Sequence, residues 1–567
     1  MSVNTGRVLV LGEDTRSFLS VVRSLGRYGL EVHAAWCRVN ASAARSKYLH
    51  KIHRLPGYCF GDHRWLDGLL ATMHEHNFDL VIPCHDAAML LLQSNRRVLE
   101  RAGRVYLLDD NAFEISFSKE KSYQLAHDLG VNVPKQAVIH SCDEMFELGR
   151  EWGYPLVLKP RASATSANPF ARQYVQKVWN ENEASIALQG FKKEAWIQVQ
   201  RNFNGRGVGV ELLASRGEIL VALQHERVHE PLTGGGSSYR KSVPLTPELL
   251  SGTSRLMKTL NYTGVAMVEF KVNPENGDWV FIEINGRFWG SLPLALAAGA
   301  DFPRYLYEML CLGKEEFSRS YRTGVYCRNW ALDWNWFRAN LKADHANPHL
   351  LTLPLHKVAA EFGNLVTLKE RSDTFVLDDL SPAFADLRAE IGSRSRRFIR
   401  NTPFMRDQLQ RKALRAFQSA RSVLFVCKGN ICRSPFAHKI LQCLRPDIHC
   451  VSAGYYPIAG RSSPRLAIET ARKFGIDLES HRSSFLTSDM LAQADAVFVF
   501  DDENFETLVG DSPECGPKLH YLGALDPMGP LQLADPFGQS GADFDECYRR
   551  INALLAKRKG AASAAPV

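Results

Sequence analysis

The chain has 567 residues, 45% hydrophobic and 23% charged, with 69 Lys and Arg against 61 Asp and Glu. Domains run to about 100–200 residues, so this length implies about three or four compact units, and the composition is ordinary for a globular protein, so disorder is not the default reading. No stretch approaches the roughly 20 apolar residues of a membrane span, the apolar run in MSVNTGRVLVLGED is too short for a secretion signal, and the 12 cysteines carry neither zinc nor paired disulfide spacing. The expectation is a cytoplasmic protein with reduced thiols.

RVLVLG, Arg7 to Gly12, is an apolar run closed by glycine, followed by helical spacing in SFLSVVRSLGRYG and a second extended run in EVHAAW. DLVIPCHD, Asp79 to Asp86, repeats the strand and polar turn. These elements predict a β-α-β, Rossmann-like unit over 1–112 that presents its loops at the carboxyl ends of parallel strands. LGEDTRS lacks the G-x-G-x-x-G spacing that lets backbone approach a pyrophosphate, which disfavours NAD.

SKEKSYQLAHDLGVNVP, Ser118 to Pro134, reads as a helix stopped at Gly130, and YPLVLKP as a short buried strand carrying Lys159. Further on come three extended runs, IQVQ (Ile197 to Gln200), MVEFKVN (Met267 to Asn273) and WVFIEINGRFWGS (Trp279 to Ser291). Period-two alternation in VFIEINGR places Glu283, Asn285 and Arg287 on one face, opposite Ile282 and Ile284. A carboxylate, an amide oxygen and a guanidinium on one face suit Mg²⁺ and a phosphoryl group, with Glu269 as a second carboxylate.

Together these motifs resemble an ATP-grasp enzyme, with the grasp domain over 113–325. The resemblance matches Lys119 and Lys159 to ATP-binding lysines, Gln198, Val199 and Gln200 to the adenine hinge, Glu269, Glu283 and Asn285 to metal ligands, and Arg287 to a phosphate-binding arginine. It implies two α+β lobes closing on ATP with Mg²⁺, or Mn²⁺ in its place, and activation of a small carboxylate as an acyl phosphate for attack by an amine. The chain departs from the family after Lys159, where RASATSANPF replaces a glycine-rich flap. HERVHEPLTGGGSSYRKSV, His225 to Val243, offers Arg227, Gly235, Gly236 and Arg240 as substrate-binding groups, as in predicted carboxylate-amine ligases of this superfamily.

Aromatic-rich YCRNWALDWNWFRANL has helical spacing, and 326–387 is expected as a helical extension. From Arg388 to Arg421 nine Arg and one Lys face only Glu390 and Asp407, a local excess equal to the whole chain's +8. No recognition motif or interleaved aromatics accompany that charge, so 388–420 reads as a basic linker and nucleic acid is not an expected partner.

VCKGNICRSP, Val426 to Pro435, joins a strand to a helix N-terminus, where free backbone N–H groups and the helix dipole favour an anion. Cys427 would lie beneath that anion as a thiolate nucleophile, Arg433 would grip phosphoryl oxygens, Asn430 suits a left-handed turn and Ser434 can donate to the sulfur. The string V-C-x-G-N-x-C-R-S-P resembles the low-molecular-weight protein tyrosine phosphatases, and SAG at Ser452, HRS at His481 and DPFG at Asp535 continue the likeness over 421–560. It implies a central parallel sheet flanked by helices, a phosphate loop of Lys428, Gly429, Asn430, Ile431, Cys432 and Ser434, and Asp535 as the proton donor. Cys432 would trap an oxidised Cys427 as a disulfide. Lys428, and Gly538 after Phe537, depart from the usual residues and bear on substrate choice.

The expectation is a multidomain α/β and α+β bifunctional enzyme, a ligase fused to a phosphatase acting on a phosphotyrosine protein or another phosphomonoester. The alternative is a grasp module that senses a nucleotide or metabolite and regulates the phosphatase. In the bifunctional enzyme the two activities would be coupled in one pathway or separate, and the sequence leaves the oligomeric state open.

Overall fold

The computed structural model describes residues 6–556 apart from 39, 57, 59–61, 160–174, 192–196, 401, 457–458 and 527. It divides into two compact units, Met1–Leu55 with Leu66–Asp386, and Pro56–Trp65 with Leu387–Val567.

The first unit opens with the parallel strands β1 (Arg7–Leu11), β2 (Glu31–Ala35), β3 (Leu49–His53) and β4 (Leu80–Pro83), in the order β3-β2-β1-β4. Helix Ser17–Arg27 crosses from β1 to β2 because its apolar spacing buries Phe18, Leu19, Val21, Val22 and Leu25 on one face. Asp14 starts it by accepting from the Ser17 N–H at 2.6 Å. Strand order reverses between β1 and β4, so the loops after them are neighbours at the carboxyl edge.

A small lobe follows, with β5 (Gln136–Ile139), β6 (Leu156–Lys159), β7 (Gln176–Val178) and β8 (Ile197–Arg201) ordered β5-β8-β6-β7 and all antiparallel. Its own core contains Ile139, Met145, Leu156, Leu158, Val178 and Val199. The large lobe is a seven-stranded sheet of β9 (Arg206–Ser215), β10 (Glu218–His229), β11 (Tyr239–Val243), β12 (Gly264–Val272), β13 (Trp279–Asn285), β14 (Tyr326–Arg328) and β15 (Glu370–Ser372). Their order is β13-β12-β9-β10-β11-β14-β15, antiparallel except for the parallel pair β14 and β15. This sheet and the opening domain share one core, in which Val8, Val10 and Phe18 join Val210, Leu212, Phe281 and Trp289.

Segment 326–387, expected as a helical extension, supplies β14 and β15 as well as helix Trp330–Lys342. Three-residue strands have no periodicity of their own and form only by pairing with a strand already present. Arg328 on β14 fixes the segment through Glu370 (2.8 Å), Glu361 (3.2 Å) and Asp333. Buried Arg23 then ties its end to the first helix, donating to Asp379 at 2.9 Å and to the Thr374 carbonyl at 2.9 Å.

The second unit centres on parallel β16 (Ser422–Cys427), β17 (His449–Gly454), β18 (Ala496–Val499) and β19 (Leu519–Tyr521), ordered β17-β16-β18-β19. Helices Arg433–Leu444 and Gly541–Ala556 pack through Phe436 stacked on Tyr548, with centroids 3.9 Å apart. The basic stretch is not a free linker. Helix Pro403–Ser419 buries Ala413 and Phe417 in this unit's core, Phe417 lies edge-on to Phe498, and Arg400 donates to the Tyr521 hydroxyl at 2.6 Å. Among the described residues no helix is long and apolar enough to cross a membrane, and the ten cysteines whose side chains are described are free.

Candidate active sites

In the large lobe the β12–β13 register sets Glu269 directly opposite Glu283, and Met267 opposite Asn285. The Asn285 amide donates to Glu269 Oε1 at 3.3 Å, and Arg227 Nη2 lies 2.7 Å from the same oxygen. Burial raises the Glu269 carboxyl above its ordinary value; Arg227 opposes the rise and Glu283 adds to it. Two facing carboxylates and an amide oxygen are the hard donors a divalent cation of the Mg²⁺ type accepts.

Two glycines make room for this arrangement. A Cβ on Gly207 would lie 2.5 Å from Arg227 Cδ, and one on Gly209 would lie 2.3 Å from His225 Cε1. Both side chains therefore extend over β9, Arg227 to Glu269 and His225 to buried Glu211, 2.8 Å away. Neither glycine is singled out by the sequence reading, although GVGVE beside β-branched residues is the kind of interruption that marks a close approach.

A cationic wall accompanies these acids. Lys159, 7% exposed at the end of β6, donates to the Tyr123 hydroxyl at 2.6 Å, and burial pushes its ammonium down to about 8 against the pull of Glu283 and Glu269. Lys177 falls to about 8 through burial and the neighbouring charge of Lys271, and Lys271 is itself lowered by burial. The count of two that selects Glu269 also selects Lys271 on the same strand. Lys119 is half-buried in the first turn of helix Lys119–Asp128, which also carries Tyr123.

Other expected residues sit differently. Arg287 lies beyond the end of β13 and grips Asp86 bidentately, Nε at 2.8 Å and Nη2 at 3.1 Å. Gln198 and Gln200 both donate to Gln136 Oε1, at 2.8 and 2.9 Å, while Val199 is a core residue. β8 is paired on both sides, so the backbone of 198–200, expected as the hinge, is engaged in the ladders with β5 and β6. The Gly235 carbonyl accepts from Arg227, and a Cβ on Gly236 would meet nothing within 4 Å among the described residues. Arg240 stands across β10–β11 from Arg227, but it is fully buried against Asp373 rather than turned to the facing carboxylates. The RASATSANPF segment lies outside the described residues.

In the second unit β16 ends at Cys427 and helix Arg433–Leu444 begins after a tight loop. Asn430 adopts φ +50°, and its N–H donates to Cys427 Sγ at 3.3 Å. Ser434 Oγ lies 3.1 Å from that sulfur. Asn430 then braces the loop, donating to Ser434 and Ser452 at 2.9 and 3.0 Å and accepting from the Ser484 N–H at 2.8 Å. His481 Nε2 lies 2.8 Å from the Asn430 carbonyl oxygen. Gly454, closing β17, leaves space for the loop, since a Cβ there would fall 2.8 Å from Asn430 N and from Lys428 O.

Arg433 is 1% exposed. Its Nη2 lies 2.6 Å from Asp535 Oδ2, and Nη1 donates to the Leu533 carbonyl at 2.9 Å and to Asp501. Burial works against the guanidinium charge, but Asp535, Cys427 and Asp501 outweigh it and hold the group above its ordinary value. Its buried Nε has no hydrogen-bond partner among the described residues, a donor for which an oxyanion is suited. Ile431 and Cys432 are buried, the Cys432 thiol is pushed up by that burial, and Tyr548 donates to the Cys432 carbonyl at 3.1 Å. Lys428 Nζ lies 2.7 Å from Glu503 at the surface. The sequence reading missed Asp501, signalled only by the polar turn after VFVF, and Arg461, which donates to the Gly429 carbonyl at 2.7 Å.

Residues 422–559 match the family model of low molecular weight phosphotyrosine protein phosphatases. The chain is 31% identical over 157 residues to the low molecular weight phosphotyrosine protein phosphatase of Sus scrofa, covering 98% of that protein and 25% of this chain. Among solved structures, 56% of the chain resembles 73% of the biotin carboxylase domain of Hydrogenobacter thermophilus 2-oxoglutarate carboxylase, solved with MgADP and bicarbonate, at 16% identity and a TM-score of 0.46. A further 18%-identical likeness, TM-score 0.44, joins 57% of the chain to 78% of an L-amino acid ligase from Bacillus licheniformis.

Proposed function

Because the chain belongs, through residues 422–559, to the low molecular weight phosphotyrosine protein phosphatase family, we propose that Cys427 is the nucleophile of phosphotyrosine or related phosphomonoester hydrolysis. The sulfur attacks phosphorus while the leaving oxygen takes a proton from Asp535; water, deprotonated by Asp535, then breaks the S–P bond and releases phosphate. Arg433 and the loop N–H groups hold the charge that builds on the phosphoryl oxygens. The observation carrying this reading is the Asn430 N–H and Ser434 hydroxyl converging on Cys427 beside the unpartnered Nε of Arg433. On an aryl phosphate, Cys427→Ser abolishes turnover, and Asp535→Asn lowers kcat by roughly 10²–10⁴-fold.

For the first unit the reading is an ATP-dependent ligase joining a small carboxylate to an amine. Mg²⁺ with ATP supplies, when bound, the phosphoryl group that activates the carboxylate as an acyl phosphate. Glu269, Glu283 and Asn285 hold the cation, and Lys159, Lys271 and Lys177 hold phosphate charge with Lys119 beside them. The facing pair of partly buried acids next to depressed lysines supports it. ADP release that requires one acid and one amine, and that disappears in Glu283→Ala, is the expected result. ATP that alters phosphatase activity without releasing ADP in any acid and amine pool would instead mark a nucleotide sensor.

A further inference from the structure

The opening sheet carries a group of imidazoles that neither activity uses. β2 holds Glu31 and His33 on one face, β3 ends at His53, and helix Arg64–His76 ends at His76. His33 is 2% exposed, with the rings of His53 and His76 centred 5.0 and 5.2 Å from its own and 4.6 Å from each other. One ring nitrogen from each of the three lies within 4.8 Å of the other two.

Hydrogen bonds fix which nitrogens face inward. His33 Nε2 lies 2.7 Å from Glu31 Oε1, so it carries the proton and leaves Nδ1 with a lone pair, 2.8 Å from His53 Nε2. Arg7 clamps Glu31 through Nε at 3.0 Å and Nη2 at 3.1 Å. His53 Nε2 then donates to the His33 Nδ1 lone pair, and moving its proton to His53 Nδ1 would turn both nitrogens toward a shared cation.

We propose that His33, His53 and His76 bind a divalent transition metal of the Zn²⁺ class, with Glu31 orienting His33 as a carboxylate–histidine–metal triad. Three nitrogen donors select against Mg²⁺ and Ca²⁺, which take oxygen. Lys51 Nζ, 3.2 Å from His76 Nε2 on an exposed side chain, is the group the metal displaces into solvent. The ion would staple β2, β3 and the end of helix Arg64–His76.

The test uses the tag-free full chain carrying Cys427→Ser, so that the phosphatase thiol takes no metal, after dialysis against a chelator. Titration with Zn²⁺ by calorimetry and with Co²⁺ by visible absorption is expected to give one equivalent and tetrahedral Co²⁺ bands. His76→Gln and His53→Gln are each expected to weaken Zn²⁺ at least tenfold and to remove the Zn²⁺-induced rise in Tm. His76, 15% exposed at a helix end, keeps the test valid should His53→Gln fail to fold. No stoichiometric Zn²⁺ or Co²⁺ binding, or binding that His76→Gln leaves unchanged, overturns the proposal.

Discussion

At Lys159 the environment decides the charge. Burial holds the ammonium to about 8, so the form that attracts phosphate is present below that pH and lost as pH rises through it. ATP affinity measured by calorimetry is therefore expected to be flat near pH 7 and to fall above pH 8, by up to roughly tenfold per unit. Lys159→Met weakens binding at pH 7 and makes the fall shallower, the remainder belonging to Lys177, also near 8. A strand's period of two places Glu283 and Asn285 on one face, whereas Lys271, two residues beyond Glu269 on β12, is not singled out by the sequence reading. Arg240 misled for a different reason: the acid that claims it, Asp373, lies 133 residues further along the chain, and no local pattern links them.

Among elements, the loop after β16 depends on a residue of the next strand. A Cβ on Gly454 would meet backbone atoms at 2.8 Å, and backbone does not rotate aside as a side chain does. Gly454→Ala is expected to lower kcat/KM for an aryl phosphate by roughly 10–100-fold, because displacements of about 1 Å carry penalties of that order. Gly516→Ala, where a Cβ meets nothing within 4 Å, serves as the control and should leave turnover unchanged. Helix Pro403–Ser419 makes a second test. Removing the buried ring in Phe417→Ala should cost about 3–5 kcal/mol in denaturant unfolding followed through the second unit, whereas a free linker would register nothing. The arginine count hid this helix's apolar stripe: Ala413 and Phe417 stand one turn apart among bases, and only the sheet they cover reveals them as core.

Across the whole molecule the two proposed chemistries differ in what they require. EDTA is expected to silence ADP release while aryl phosphate hydrolysis continues, and orthovanadate, a phosphate mimic, to do the reverse, both read on the same preparation. The parallel sheets at either end were legible because strand, polar turn and helix recur in order. β14 and β15 were not, since each exists only as an addition to a sheet assembled from distant segments. The position of β16 carries its own consequence. It is paired on both sides, and Val423, Leu424, Phe425 and Val426 have no exposed surface. Amide hydrogens there can exchange with deuterium only when the unit opens as a whole, which makes this strand the slowest isotope clock of its sheet. Cys427 is mounted at the end of that strand, so heat should not produce a folded but misaligned enzyme: inactivation and global opening would follow the same time course.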